Sequence, residues 1–366
     1  MTDHLDGSIL TPGGWIAGRV TFGDRITAVE GTPTGLPRPP YILPGFVDTH
    51  VHGGGGADMM EGAEAIRTAA RAHVRHGTTS ICPTSVTAPD DDTERFLDGV
   101  AAAMEANWPD AARVLGAHLE GPFINPDKLG AQPPFARAPD LERLRDWTRR
   151  ARVRVMTFAP EMDADHALRD ALAAAEIRAQ AGHSLCTYAQ GAAALAAGCG
   201  VTHLFNAMSG IAHRGNGLAG AALAQARFAE VIPDLVHVEA GAILAARRAI
   251  PDLYGVTDAT AGAGMPDGDY RLGRHDVIKR DGAMRLADGT LAGSALTMDQ
   301  ALRNLVAIGL PLDEAARRLS TLPADWLGLS RIGRIAPGAH ADLLSLDADL
   351  TLGRVLKDGT DILPER

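Results

Sequence analysis

Cysteine, surplus positive charge and long apolar runs are all scarce in this chain of 366 residues, and each scarcity removes a class of protein. The three cysteines, Cys82, Cys186 and Cys199, are odd in number and far apart, so neither a disulfide framework nor a Cys-rich metal site is expected. Acidic residues outnumber basic ones, 45 to 35, and the formal net charge is -10. Nucleic-acid binding requires a clustered basic surface, so no nucleic-acid partner is expected. No stretch reaches the roughly 18 uninterrupted apolar residues of a membrane span. Met1 to Leu10 also lacks the basic start and apolar middle of a signal peptide. The expectation is a cytoplasmic protein with no membrane partner. Hydrophobic residues make up 46% of the chain, enough for one large core beside a smaller accessory domain.

Between Ile42 and Asp258, short apolar runs alternate with Ala-rich amphipathic stretches, the signature of strand and helix units closing on a parallel sheet. The runs are 42–51, 78–83, 114–119, 153–159, 177–182, 201–205, 231–238 and 253–257. The stretch from Glu61 to His76 carries Ile66, Ala69, Ala70, His73 and Val74 at helical spacing, with Gly77 where a helix-ending glycine belongs. The predicted fold is α/β, a (β/α)8 barrel over 44–330, with a small β-sandwich domain built from both chain ends, 1–43 and 331–366. Turn signals at Asp281-Gly282 and Asp288-Gly289 predict β-hairpins over 270–292, followed by helices to about Leu329.

His50 and His52 end the first apolar run. Alternate residues of a strand face one side, which places their Cα atoms roughly 6 to 7 Å apart and lets both imidazoles reach one ion. Two solvated histidines in a Gly-rich loop would leave the same short pattern, so the remaining candidates decide. Glu120 follows the third run, His183 follows the fifth, His203 lies in the sixth, and Asp258 follows the eighth. All of these positions fall at the carboxyl ends of strands, the catalytic rim of such a barrel. Imidazoles plus a carboxylate suit Zn²⁺, with Fe²⁺, Mn²⁺ and Co²⁺ as alternatives, and an open coordination position leaves room for water. Asp258 is the candidate acid–base group.

The segments Leu43-Pro44-Gly45-Phe46-Val47-Asp48-Thr49-His50-Val51-His52-Gly53, His118-Leu119-Glu120-Gly121-Pro122-Phe123, Thr202-His203-Leu204-Phe205-Asn206-Ala207-Met208 and Leu291-Ala292-Gly293-Ser294 carry a resemblance. With Gly182-His183-Ser184 and Thr257-Asp258-Ala259, they occur in order along nearly the whole chain. In these motifs the sequence resembles the amidohydrolase superfamily and, within it, the N-acetylglucosamine-6-phosphate deacetylase family. The fourth run ends Phe158-Ala159-Pro160-Glu161 without the bridging lysine of hydantoinases and dihydroorotases.

The resemblance implies metal-dependent hydrolysis of an acetamide on an amino-sugar phosphate. Glu120, His183 and His203 would hold the principal metal and His50 and His52 a second, giving one or two ions per subunit, with Asp258 catalytic. It implies substrate contacts from Gln132, Asn206, Ala207 and His237. It also implies Arg214 as a phosphate ligand, contributed across the interface of a homodimer. Two departures bear on the substrate. Leu235 stands where the family has glycine, and Gln132 stands where some members have a histidine near the scissile carbonyl.

Overall fold

The computed structural model describes residues 3–362, so Leu363 at the end of the predicted carboxyl β-segment lies outside the described residues. Its centre is a ring of parallel strands: β1 (Phe46–Val51), β2 (Thr78–Ser85), β3 (Ala117–Glu120), β4 (Val153–Phe158), β5 (Arg178–Ala181), β6 (Gly200–Val201), β7 (Phe228–Val231) and β8 (Asp252–Gly255). Each strand pairs with the next in sequence order. The seam between first and last closes just beyond β8. There Val51 pairs with Ala259, and the Asp258 amide donates to the His50 carbonyl at 2.8 Å. Asp48 reinforces this seam by accepting from the Thr257 hydroxyl at 2.5 Å and the Thr257 amide at 3.2 Å. Burial pushes the Asp48 carboxyl up to about 7 against the lowering effect of those bonds.

Helices cover the outside because each buries one apolar stripe against the ring. In α1 (Ala63–Val74) the buried positions Ile66, Ala69, Ala70, His73 and Val74 are the ones whose spacing predicts it. Gly77 beyond it has a φ of 84°, the left-handed conformation that glycine adopts without strain.

The first apolar run, read as one strand, is divided in the structure. Tyr41–Pro44 belongs to the small domain and β1 to the barrel, with Gly45 between them. A Cβ on Gly45 would lie 2.2 Å from Thr79 Oγ1, so the crossing point admits no side chain. The run at 231–238 is also displaced: β7 lies at Phe228–Val231 and ends where that run begins. Of the sixth run only Val201 lies in a strand, the two-residue β6, because the backbone turns at His203 with a φ of 27°.

Both chain ends meet in one seven-stranded sheet, ordered Thr360–Asp361, Leu352–Lys357, Leu343–Leu346, Tyr41–Pro44, Asp3–Thr11, Gly14–Phe22, Ile26–Pro33. It has its own core, including Ile9, Val20, Phe22, Ile42, Leu343 and Leu356. After β8, a four-stranded antiparallel sheet runs from Gly268 to Ser294, and its second turn holds Asp281 and Gly282 at φ values of 51° and 77°. That pair suits a tight hairpin turn. Among the described residues no helix is long and apolar enough to cross a membrane.

Candidate metal centre and active site

The carboxyl ends of the strands deliver their polar side chains to one point inside the barrel mouth. His50 is the penultimate residue of β1 and His52 follows that strand. Glu120 is the last residue of β3, and His183, His203 and Asp258 stand two or three residues beyond β5, β6 and β8. His183, His203 and Asp258 have φ values of 45°, 27° and 50°, and the neighbouring Phe205 and Ala207 also lie in this left-handed region. Strained backbone thus collects where the chain turns off the strands to aim these groups inward.

All six are buried. Glu120 is the hub. Its Oε1 lies 3.0 Å from His203 Nε2, 3.1 Å from His183 Nε2 and 3.4 Å from His50 Nε2, while its Oε2 lies 3.3 Å from His52 Nε2. Asp258 Oδ1 is 3.1 Å from His52 Nε2 and 3.5 Å from His50 Nε2. Two groupings emerge, Glu120 with His183 and His203, and Asp258 with His50 and His52.

The donor set fits a divalent cation. Ligand atoms arranged tetrahedrally at about 2.0 to 2.1 Å from a zinc ion stand about 3.3 to 3.4 Å apart, the spacing seen here. The imidazoles point the same way. Nδ1 of His183 donates to the Lys128 carbonyl at 2.8 Å, Nδ1 of His52 to the Thr84 carbonyl at 3.2 Å, and Nδ1 of His50 to Glu230 Oε2 at 2.9 Å. In the neutral ring that leaves a lone pair on each Nε2. Nε2 of His183 lies 3.1 Å from that of His203, and the two Nε2 lone pairs of His50 and His52 face each other at 3.3 Å. Facing lone pairs repel unless positive charge lies between them.

The electrostatics make the same demand. Burial opposes charge on His50, yet Glu120, Asp258 and Glu230 raise its pKa well above the ordinary imidazole value. Burial likewise opposes charge on His52, and bonds to Asp258 and Glu120 push it up to about 9. Burial would raise Glu120, but His50 and His183 hold it well below the usual carboxylate range; Asp258, opposed by burial and pulled by His50 and His52, falls to about 2. A buried cluster of carboxylates is calling for cations.

A cavity of about 380 Å³ opens onto these groups and includes Gln132, Asn206, Ala207 and His237 in its wall. Gln132 is committed at both ends: Oε1 accepts from the Thr87 amide at 2.7 Å, and Nε2 donates to Glu120 Oε2. The Asn206 amide closes a turn onto the His203 carbonyl at 3.0 Å, whereas the Ala207 amide has no acceptor among the described residues. His237 Nδ1 pairs with Asp234 Oδ2 at 2.7 Å, and Asp234 Oδ1 accepts from the amides of Val236 and His237. Leu235 inside that turn has a φ of 64°. The geometry suits glycine, and leucine adopts it at a steric cost. Arg214 is exposed and stands outside the cavity wall. Glu161 stays at the rim, accepting from Ser184 Oγ, the Leu185 amide and Asn125 Nδ2 and so fixing the turn after His183.

The sequence reading missed Glu230 and His118. Glu230 is fully buried in β7 and bonds His50; His118 in β3 packs edge-on against the His50 ring at 4.6 Å and bonds Thr157 Oγ1 at 2.8 Å. The available signal was a carboxylate inside the short run Phe228-Ala229-Glu230-Val231, just upstream of where the seventh strand was placed.

An α/β barrel with six converging His, Glu and Asp side chains at its carboxyl rim defines a metal-dependent amidohydrolase, and the model of the Amidohydrolase family matches residues 41–362. The N-acetylgalactosamine-6-phosphate deacetylase of Escherichia coli O157:H7 is 36% identical over 96% of both chains. The N-acetylglucosamine-6-phosphate deacetylase of Lysinibacillus sphaericus is 34% identical over 87% of this chain and 84% of its own. A mutant N-acetyl-D-glucosamine-6-phosphate deacetylase from Mycobacterium smegmatis, solved in complex with N-acetyl-D-glucosamine-6-phosphate, superposes with a TM-score of 0.91 at 35% identity, covering 100% of this chain and 99% of that one. The chain belongs to the amidohydrolase family and, within it, to the N-acetylglucosamine-6-phosphate deacetylases and their galactosamine counterpart.

Proposed function

We propose that this protein hydrolyses the acetamide of N-acetyl-D-glucosamine 6-phosphate, giving glucosamine 6-phosphate and acetate. The observation that carries the reading is the convergence of Glu120, His183, His203, His50, His52 and Asp258, each with a ligand atom 3.0 to 3.5 Å from that of another, with all but His50 lining the cavity. Glu120, His183 and His203 would hold a divalent cation, with His50 and His52 placed to hold a second, and the cation would supply Lewis acidity and a more acidic water; the N/O donor set favours Zn²⁺.

The remaining work falls to the chain's own residues. Asp258, ionised at neutral pH, takes the proton of the attacking water at Oδ1 and delivers it to the departing amine nitrogen. Gln132 holds Glu120 in place through its amide. Asn206, Ala207 and His237 line the sugar phosphate, and Arg214 reaches in from the second subunit of a homodimer. A cytoplasmic location belongs to the same reading.

The galactosamine epimer is the second reading, favoured by the 36% identity to the Escherichia coli enzyme over 96% of the chain. Acetate release from metal-loaded protein over the two N-acetylhexosamines and their 6-phosphates decides between them. The expected result is fastest release from N-acetylglucosamine 6-phosphate. Faster release from the galactosamine 6-phosphate transfers the activity to the epimer, and no release from any of the four removes the hydrolase reading.

A further inference from the structure

Two cavities meet at one side chain. Behind the cavity that holds the reacting groups lies a second, of about 280 Å³, and Val86 is the one residue that lines both. Val86 directly follows β2 and is buried. Its neighbours in the chain tie it to the metal-binding groups. The Thr84 carbonyl accepts from His52 Nδ1 at 3.2 Å, and the Thr87 amide donates at 2.7 Å to Gln132, whose own amide reaches Glu120. From the far side, the first turn of the antiparallel sheet closes on Val86. A Cβ on Gly273 would lie 2.6 Å from Val86 Cγ2, so the turn comes this close only because residue 273 is glycine, with a φ of 55°. Leu272, buried next to it, lines the first cavity, while Gly273 and Arg274 line the second. The turn is pinned in place: the Gly273 amide donates to Asp58 Oδ2, and Arg274 Nε donates to Asp92 Oδ2 at 2.9 Å.

The first cavity is mostly polar. Val86, Leu272 and Leu291 are the only branched apolar side chains among its lining residues. A planar trans amide sets the acyl carbon chain and the sugar carbon on opposite sides of the C–N bond. In the proposed reaction the nitrogen lies toward Asp258, and the sugar it carries runs past Asn206, Ala207 and His237. The acyl methyl therefore points the other way. The apolar surface that receives it is Val86, set between the residues that hold His52 and Gln132, with Leu272 on the turn packed against it.

Building on the proposed deacetylation, we infer that Val86 determines acyl specificity: with Leu272 it forms the wall that limits the acyl group to acetyl, and the second cavity accommodates longer acyl chains once that wall is cut back. The bond chemistry is the same for every chain length. Water adds across the C–N bond, the acyl carbon leaves as a carboxylate carrying the water oxygen, and the nitrogen takes the water protons and leaves as the amine of the hexosamine 6-phosphate. Only the volume beside the acyl carbon differs. One methylene in an apolar pocket is worth about 10- to 200-fold in discrimination, and Val86→Ala takes two methyl groups out of the partition.

The test measures amine release from the N-acetyl, N-propionyl and N-butyryl derivatives of glucosamine 6-phosphate and galactosamine 6-phosphate. Wild type, Val86→Ala and Leu272→Ala are compared, each loaded with Zn²⁺ and checked for metal content. Wild type prefers acetyl over propionyl. In Val86→Ala the ratio of kcat/KM for propionyl over acetyl rises about 10-fold or more, the ratio for butyryl over acetyl rises with it, and Leu272→Ala shifts both in the same direction. A merely structural role for Val86 would slow all three acyl groups alike and leave the ratios unmoved. Unchanged ratios in metal-loaded Val86→Ala therefore overturn the assignment while leaving the deacetylase reading standing, and if that variant fails to fold, the ratios in Leu272→Ala decide. A wild type that cleaves propionyl as fast as acetyl also overturns the assignment alone. A wild type that releases no amine from any substrate overturns both.

Discussion

Replacing Glu230 with glutamine keeps the shape of a buried side chain and removes one acceptor. In the native site Oε2 accepts from His50 Nδ1 at 2.9 Å and from the His203 amide at 3.2 Å, while Oε1 accepts from Gln180 Nε2 at 3.2 Å and the Tyr254 hydroxyl at 3.3 Å. An amide nitrogen accepts from neither pair, so one pair of donors loses its partner whichever way the glutamine turns. With the amide oxygen toward Gln180 and Tyr254, the NH₂ group faces His50 Nδ1. The imidazole then favours a proton on Nε2, the atom aimed at Glu120, His52 and Asp258, and a protonated nitrogen cannot ligate. Loss of such a supporting partner weakens metal binding about 10- to 100-fold, which is about 1.4 to 2.8 kcal/mol. Thermal stabilisation by a fixed, near-saturating metal concentration shrinks by a comparable amount. The assay strips wild type and Glu230→Gln of metal, reloads both with Zn²⁺ in competition with a chromophoric chelator, and records stoichiometry and the melting temperatures of the stripped and loaded forms. The larger weakening belongs to the His50 and His52 grouping, since His183 is fixed through the Lys128 carbonyl and Glu230 meets His203 only at its backbone amide, whereas it meets the ring of His50. Wild-type affinity and stoichiometry in the variant would refute the role assigned to Glu230.

Asp258→Asn should lower turnover by at least about 100-fold while zinc stays bound at Glu120, His183 and His203, because an amide cannot accept the proton of water; near-normal turnover in a metal-analysed sample would remove Asp258 from proton transfer. His73 gives a pH prediction away from the metal groups. Its Nε2 donates to the Gly53 carbonyl at 2.8 Å, Nδ1 has no partner, and burial lowers the imidazole from 6.5 to about 4. Below 6.5 the unfolded chain binds the proton and the folded one does not, so this contribution is whole above 6.5 and is lost as pH falls toward 4. The loss amounts to about 3 kcal/mol, and urea unfolding of His73→Gln should show a flatter pH slope across that window than wild type. Arg113→Met removes the guanidinium that reaches Asp342 at 2.7 Å and Asp358 at 2.6 Å where the small domain meets the barrel. Leaving Asp342 buried without its partner should cost about 3 to 5 kcal/mol in urea unfolding, and a change below about 1 kcal/mol would show that the pair is dispensable.

Legibility varied along the chain for identifiable reasons. The periodicity of α1 and the apolar runs of β2 and β4 read directly, because each element buries one stripe or both faces. The seventh strand was misplaced because Glu230 reads as a solvent-facing charge when barrel closure is not yet known. The break at Gly45 was invisible in an unbroken apolar run, since both segments are buried and only their separate sheets distinguish them. Val86 gave no signal, as nothing in its local sequence distinguishes a valine dividing two cavities from any other buried valine.

What the sequence determined by itself was the repeated strand-and-helix order and the residue types following each strand, because side-chain periodicity and strand ends are local properties. Which nitrogen of each histidine faces inward, which carboxylate holds His50, and which valine divides the two cavities were decided only by tertiary structure. Those facts depend on distances between β1, β2, β3, β7 and the antiparallel sheet, elements far apart in the chain whose separation is fixed only when the ring closes.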